Sequence, residues 1–279
     1  MSSEKQPDKG YVLSNADEGE RRRLEAIEAA YDPRTTARLS GLGVVPGARV
    51  LLLGAGGGSV ARWAAEEVGA AGRVVATDVD PRFLEPLAEK YPQLDVVRND
   101  AVHEDLPAGP YDVAHARLLL GHLPQREDVL RKMADALVPG GAVLVEDFDW
   151  GSYGPALPNE AAEAAIATVS GFLRAVGFDT AWGRRLPTVM RRTGLVDVDA
   201  EGLVLTLRGA TFPLEPMYRQ TFDRLLPTLI EGGQMTAESA RALHERFDDP
   251  EHDMVTQTLM SVWGHRPSPP SENTAENER

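Results

Sequence analysis

Residue types able to do chemistry recur at the junctions between apolar runs and polar segments. Leu53-Gly54-Ala55-Gly56-Gly57-Gly58-Ser59 follows the apolar run Arg49–Leu53 and precedes a helical segment. Glycines at such a junction let the backbone turn sharply and approach a ligand closely, with a helix N-terminus behind the turn. Asp78 ends the next apolar run, with Val79 beside it. A carboxylate at that point can accept both hydroxyls of a ribose. Asn99-Asp100-Ala101 follows a third run, placing Asp100 where it can accept from an adenine amino group. Tyr111-Asp112-Val113 opens a fourth run, and Val138-Pro139-Gly140-Gly141 precedes a fifth. The glycine loop and Asp78 alone leave a dinucleotide open. GxGxxG read from Gly54 meets Ser59 at its third glycine, whereas the register from Gly56 gives GxGxxA ending at Ala61.

The elements that must position these groups are short apolar runs alternating with helical patterns, which predicts buried parallel strands and crossover helices. Strands are expected at 49–53, 73–77, 94–98, 111–116 and 141–148, with helices near 58–69, 81–90 and 125–137. Ahead of them, Asp17 and Glu20 resemble a capping box, and Leu24, Ile27 and Tyr31 share one face, so a helix is expected over 17–31 and a second short one after Pro33. An Ala-rich helix follows Asn159, with Ala162, Ile166, Val169 and Leu173 on one side, and ends at Gly177; another runs to Gly194. Two further strands, 196–208 and 253–263, enclose two amphipathic helices. Leu214, Met217, Thr221, Phe222, Leu225 and Leu229 line one of these; Ala240, Leu243 and Phe247 line the other. The organisation read from this is a helical cap over 1–42, a main domain over 43–265 containing a helical insertion at 209–250, and a disordered Pro/Ser/Glu-rich tail at 266–279.

Composition narrows the function. A net charge of -14 argues against a nucleic-acid partner, because phosphate binding needs a concentrated basic surface. The chain has no run of about 18 apolar residues, and its polar start lacks the apolar segment of a signal peptide, so a cytoplasmic protein with no membrane partner is expected. With no cysteine, disulfides, thiolate metal sites and cysteine nucleophiles are excluded.

Taken in order, RVLLLGAGGGS, VVATDVDP, RNDAVHEDLP, YDVAHARLLLGHLP and LVPGGAVLVEDFD resemble the motif series of the class I S-adenosylmethionine-dependent methyltransferases, over roughly residues 11–265. The segments YVLSNADEGERRRL and SVWGHRP are similar to bacterial methyltransferases of secondary metabolism. The resemblance implies an α/β fold, a Rossmann-like seven-stranded, mostly parallel sheet whose last strand is antiparallel, with S-adenosylmethionine as cofactor. It also implies that Gly54, Ala55, Gly56 and Gly58 form the loop at the methionine side, that Asp78 and Val79 take the ribose side, and that Asp100 with Ala101 frames the adenine. One departure stands out: most relatives carry an acid where this chain has Leu52. Tyr11 or Arg117 can compensate, since a phenol or guanidinium binds a carboxylate such as that of the methionine moiety.

Methyl transfer from a sulfonium is an in-line displacement, so positioning and exclusion of water supply much of the catalysis. A hydroxyl or protonated amine acceptor needs a general base, whereas an electron-rich carbon can attack first and lose its proton later. Of the six histidines, His122 is the candidate base, because it follows the fourth strand on the ligand-binding edge of the sheet; the competing reading is that it packs the turn before Pro124. His115 is expected to be buried or to line the cofactor wall. Glu146, Asp147 and Asp149 are hard-cation ligands by type. A catechol-type magnesium site in this superfamily also draws an acid from the end of the fourth strand, where this chain has Ala114, His115, Ala116 and Arg117, so no metal is expected. Met217, Tyr218, Phe222, Leu225 and Leu226, with Trp150 and Tyr153, form either the roof of a pocket for an aromatic or prenylated molecule, ordinary core, or a homodimer contact.

The expected function is therefore methyl transfer to a small, partly apolar molecule, within a biosynthetic pathway. Three alternatives differ in what they need. A methyltransferase-like protein using bound cofactor for cyclisation or isomerisation draws on Leu52. A nicotinamide-dependent oxidoreductase draws on the glycine loop and Asp78, without a Tyr-x-x-x-Lys pair to support hydride transfer. A noncatalytic protein on the same fold would bind the cofactor poorly.

Overall fold

The computed structural model describes residues 18–208, 213–249 and 253–269. The chain opens with a long helix, α1 (Glu18–Gly41), and then alternates strand and helix: β1 (Arg49–Leu53), α2 (Ser59–Val68), β2 (Arg73–Asp78), α3 (Glu85–Lys90), β3 (Leu94–Arg98), β4 (Tyr111–Arg117), α4 (Arg126–Asp135) and β5 (Leu137–Asp149). After β5 come the two-residue β6 (Gly154–Pro155), α5 (Glu160–Ala175), α6 (Trp182–Arg192), β7 (Val196–Leu203) and β8 (Thr206–Arg208). The chain continues through α7 (Glu215–Glu231), α8 (Ala237–Asp248), β9 (Asp253–Val255) and β10 (Thr258–His265).

Seven strands form one sheet in the order β3-β2-β1-β4-β5-β10-β7. β1 to β5 pair in parallel, while β10 runs antiparallel to both β5 and β7. β1 explains the continuous apolar runs. Leu51 and Leu53 pack with Val129, Met133 and Leu186 on one face, whereas Val50 and Leu52 pack with Ala61, Ala64 and Val68 on the other. Both faces are covered, so no polar alternation survives. The strand order reverses between β1 and β4, which opens a crevice at their carboxyl ends, where the glycine loop leaves β1 and Leu118 leaves β4.

Pro33 does not divide the first helical segment: α1 runs through it to Gly41. Proline removes one backbone donor there, but the helix is held on both sides. Tyr31 and Leu39 are fully buried, and Arg34 and Arg38 both reach Glu201 on β7. The two long terminal strands read from sequence are each broken in two. Leu205 donates to Thr256 Oγ1 and Thr256 donates to the Leu205 carbonyl, both at 2.9 Å, so the chain steps between sheets at this pair. Beyond the step, β8 and β9 join β6 in a small sheet of order β6-β9-β8. The apolar stripe of α7 packs within the chain: Phe222, Leu225 and Leu229 are buried with Ile27 and Tyr31 of α1 and Val169 of α5. No helix among the described residues is long and apolar enough to cross a membrane.

Candidate active site

The glycine loop is built around left-handed backbone. Gly54, Gly56 and Gly58 have φ of 61°, 53° and 89°, a region that L side chains populate at a cost of roughly 1 kcal/mol or more. At Gly58, which caps α2, an added Cβ would also lie 2.6 Å from Leu87 and 3.0 Å from Leu84. Gly58→Ala is therefore expected to destabilise the protein by about 1–3 kcal/mol, read as a lowered urea midpoint. α1 lies over the same loop: Leu24 approaches Gly56 and Gly57, and Glu28 reaches the Ser59 N–H. Burial, then the nearby Asp32, push the Glu28 carboxyl above its usual range.

Asp78 stands at the end of β2 with each oxygen holding one backbone donor, Gly56 N–H on Oδ2 and Asp80 N–H on Oδ1, both at 3.0 Å. Burial raises its pKa above the ordinary value of 3.8. Asp100 accepts from the backbone of Val102 and His103 and from the His103 ring. Its modest burial acts upward, but these bonds outweigh it and hold the carboxyl low. Lys132 of α4 donates to the carbonyls of Ala101, Val102 and Glu104, which pins this loop to the adjoining helix.

These groups line one cavity of about 1120 Å³. One end is walled by Gly54, Ala55, Gly56, Asp78, Val79, Asp100 and Ala101, and the other by Phe148, Trp150, Leu173, Phe178, Met217 and Phe222. His122, Asp147, Arg117 and Gln257 also line it. His122 sits against Phe178, ring centroids 4.7 Å apart. Burial, helped by Arg23 and Arg126, lowers its pKa to about 4. Asp147 accepts the Gly121 and Phe148 N–H groups, yet burial raises it to about 6.

Glu146, adjacent in sequence, faces away into a network. It accepts from Thr35 of α1 at 2.6 Å, from Ser261 of β10 at 2.6 Å, and pairs with His115 Nε2 at 3.2 Å. Arg117 donates to Thr35 and to Asp32. Asp149 is tied to Arg184 and to the Gly151 N–H. Among the described residues no group of three His, Asp or Glu side chains is arranged to hold a metal ion.

The sheet order, the antiparallel β10 and a crevice lined by the expected motifs define a fold class, and comparison with known proteins names the family within it. Residues 50–141 match the profile of the methyltransferase domain family. Methyltransferase GfsG of Streptomyces halstedii is 29% identical over 243 residues, 84% of this chain and 82% of that protein. Over residues 50–141 these matches show a class I S-adenosylmethionine-dependent methyltransferase domain. Methyltransferase str2 of Strobilurus tenacellus is 34% identical over 154 residues, a match spanning about half the length of each, 54% of this chain and 53% of str2. A solved phosphoethanolamine N-methyltransferase of Haemonchus contortus, complexed with S-adenosylhomocysteine, shares the fold at a TM-score of 0.54 and 17% identity, covering 85% of this chain and 53% of that one.

In this chain the residues read from the motifs converge on the cavity, except Gly58, which supports the loop from behind, and Tyr11, which lies outside the described residues. Arg117 borders the cavity while two of its nitrogens are held by α1. Leu52 is buried against the α2 face and also borders the cavity. Four residues were missed by sequence reasoning: Arg23, Glu28, Phe178 and Gln257. Arg23 carries the strongest geometry. Its Nε and Nη2 form a fork on the buried Glu20, whose second oxygen also receives Arg224 of α7.

Proposed function

We infer that this protein transfers the methyl group of S-adenosylmethionine to a small, partly apolar metabolite in a biosynthetic pathway. The observation that carries this reading is the single unbroken cavity joining the glycine loop and Asp78 to an aromatic chamber beneath α7. The wall fits the cofactor: each Asp78 oxygen has a lone pair beyond its one backbone bond for a ribose hydroxyl, and Gly54 and Gly56 allow close backbone approach. With an apolar Leu52, the amino-acid end must rely on other groups. Arg23 is the candidate for its carboxylate, beside Arg117 and Tyr11, because Arg23 is pre-oriented by Glu20 and borders the cavity. Bound there, S-adenosylmethionine supplies a methyl group on a positively charged sulfur.

The chain's own contribution is then orientation and dryness. α1 and α7 cover the chamber, and Phe148, Phe178 and Phe222 supply flat apolar walls. His122 is neutral at physiological pH, since its pKa lies near 4. It can therefore take the proton that the acceptor atom gives up as that atom's electron pair bonds to the methyl carbon. His122→Phe is expected to lower kcat by about 10²-fold while leaving cofactor affinity unchanged. Because the neutral imidazole is the active form, the acid limb of the kcat/KM profile should fall near pH 4 rather than near 6.5.

Calorimetric titration with S-adenosylmethionine, S-adenosylhomocysteine and NAD tests the cofactor assignment. Binding of the first two and not of NAD is expected; NAD binding alone would move the protein to the oxidoreductases. Leu52 favours a second reading, in which bound cofactor assists a cyclisation or isomerisation without transfer. Appearance of label from methyl-labelled cofactor in an organic-soluble product distinguishes the two, and product formation without label would establish the second.

A further inference from the structure

Gln257 is the polar group that stands out in the aromatic end of the cavity. It is 2% exposed and borders the cavity. It lies one residue before β10, where Thr258 pairs with Asp149, which sets it level with Trp150 at the carboxyl edge of the sheet. Its orientation is locked. The Tyr218 hydroxyl donates its proton to Gln257 Oε1. Tyr218 is itself held between rings, stacked on Tyr153 at 5.3 Å and on Phe247 at 6.1 Å. Burial keeps the phenol protonated, so it remains a donor. With Oε1 occupied by a fixed donor, the two amide hydrogens on Nε2 are the part of Gln257 left to meet a ligand.

We propose that Gln257 is the specificity-determining residue of the acceptor chamber, its Nε2 donating to a carbonyl or similar oxygen on an otherwise apolar, planar acceptor, with Tyr218 as the residue that positions the amide. The acceptor class that fits is an aromatic ketone or quinone-like ring: flat surfaces for Phe148, Phe178 and Phe222, and one oxygen for the amide. A purely hydrocarbon ring leaves a buried amide unsatisfied, which selects against it more strongly than lost apolar contact would. This inference rests on the methyl-transfer reading of the cavity.

Equilibrium dialysis with flavanone and its deoxy analogue flavan, both with saturating S-adenosylhomocysteine, tests it. The wild-type protein is expected to retain flavanone about tenfold more tightly than flavan. Gln257→Leu should erase that preference, and Tyr218→Phe, which frees the amide to rotate, should reduce it to about threefold. S-adenosylhomocysteine affinity should be unchanged in both variants. Equal retention of the two probes, retention of neither, or a preference that survives Gln257→Leu would overturn the proposal. If Gln257→Leu fails to fold, the Tyr218→Phe variant decides: an undiminished preference refutes the positioning of the amide. Loss of S-adenosylhomocysteine binding by the wild-type protein would instead overturn the cofactor reading, so the two failures are separable.

Discussion

Glu146→Ala is expected to cost the folded state about 3–5 kcal/mol, because it strips the common acceptor from a buried network. Thr35, Ser261 and His115 all converge on this carboxylate, which is 1% exposed. Removing it leaves two hydroxyls and an imidazole without their partner in a place water reaches poorly. Thr35 also receives Arg117, so the loss spreads to the guanidinium that ties β4 to α1. Glu146→Gln keeps the volume and one acceptor oxygen, and should cost about 1–2 kcal/mol. Urea denaturation measures both; the midpoint should move with little change in slope. The pH dependence has a definite sign. Burial alone raises this carboxyl, but the His115 hydrogen bond and field, then Arg117 and Ser261, outweigh it and hold it below 4.5. Its contribution is therefore present above the unfolded pKa near 4.5 and lost as pH falls through the depressed folded value. The alanine variant should show a shallower loss of stability in acid than the wild type.

Asp78→Ala is expected to weaken S-adenosylmethionine binding by about 10²- to 10³-fold, since two hydrogen bonds to a charged acceptor disappear together. The same carboxylate braces the Gly56 N–H, so part of the loss is slackening of the loop itself. Asp78→Asn separates the parts: it keeps one acceptor oxygen, and should recover about a tenth or less of the wild-type affinity. Titration calorimetry gives both numbers, and an affinity within threefold of wild type for the alanine variant would remove Asp78 from the cofactor site. Burial raises the free carboxyl, and ribose donors favour its ionised form. Affinity should consequently begin to fall, as pH is lowered, at a higher pH than an ordinary aspartate would give.

Much of the sheet was legible because its signals are local. The runs at Arg49–Leu53 and Arg73–Asp78 are apolar on both faces, and the glycines and Asp78 mark their ends. The antiparallel last strand came from resemblance to a family, because nothing in residues 258–265 states a direction. What escaped the sequence was set by distant partners. β6, β8 and β9 have two or three residues each, too few for any periodicity, and their pairing depends on the Leu205–Thr256 exchange across about fifty positions of chain. Pro33 signals a helix boundary locally, yet Glu201 on a remote strand holds Arg34 and Arg38 on its far side. Arg23 belongs to the run Glu20-Arg21-Arg22-Arg23, in which nothing local sets one arginine apart from its neighbours. Held by Glu20, which also receives Arg224 from the distant α7, it borders the cavity. Gln257 lay inside an expected strand, and no neighbouring residue reveals that Tyr218 would orient its amide.

The carboxylate of Glu20 joins Arg23, which borders the cavity, to Arg224 on α7, which lines the same cavity through Met217 and Phe222. A ligand that draws Arg23 toward itself changes what Glu20 can offer Arg224, and an acceptor that shifts α7 changes what Glu20 can offer Arg23. Where binding at one end shifts this carboxylate, the effect is reciprocal: whatever factor one ligand then confers on the affinity of the other is returned in full. Glu20→Gln, which removes the charge shared by the two guanidiniums but keeps one acceptor oxygen, is expected to reduce that factor, read as a smaller change in the dissociation constant of one ligand when the other is present.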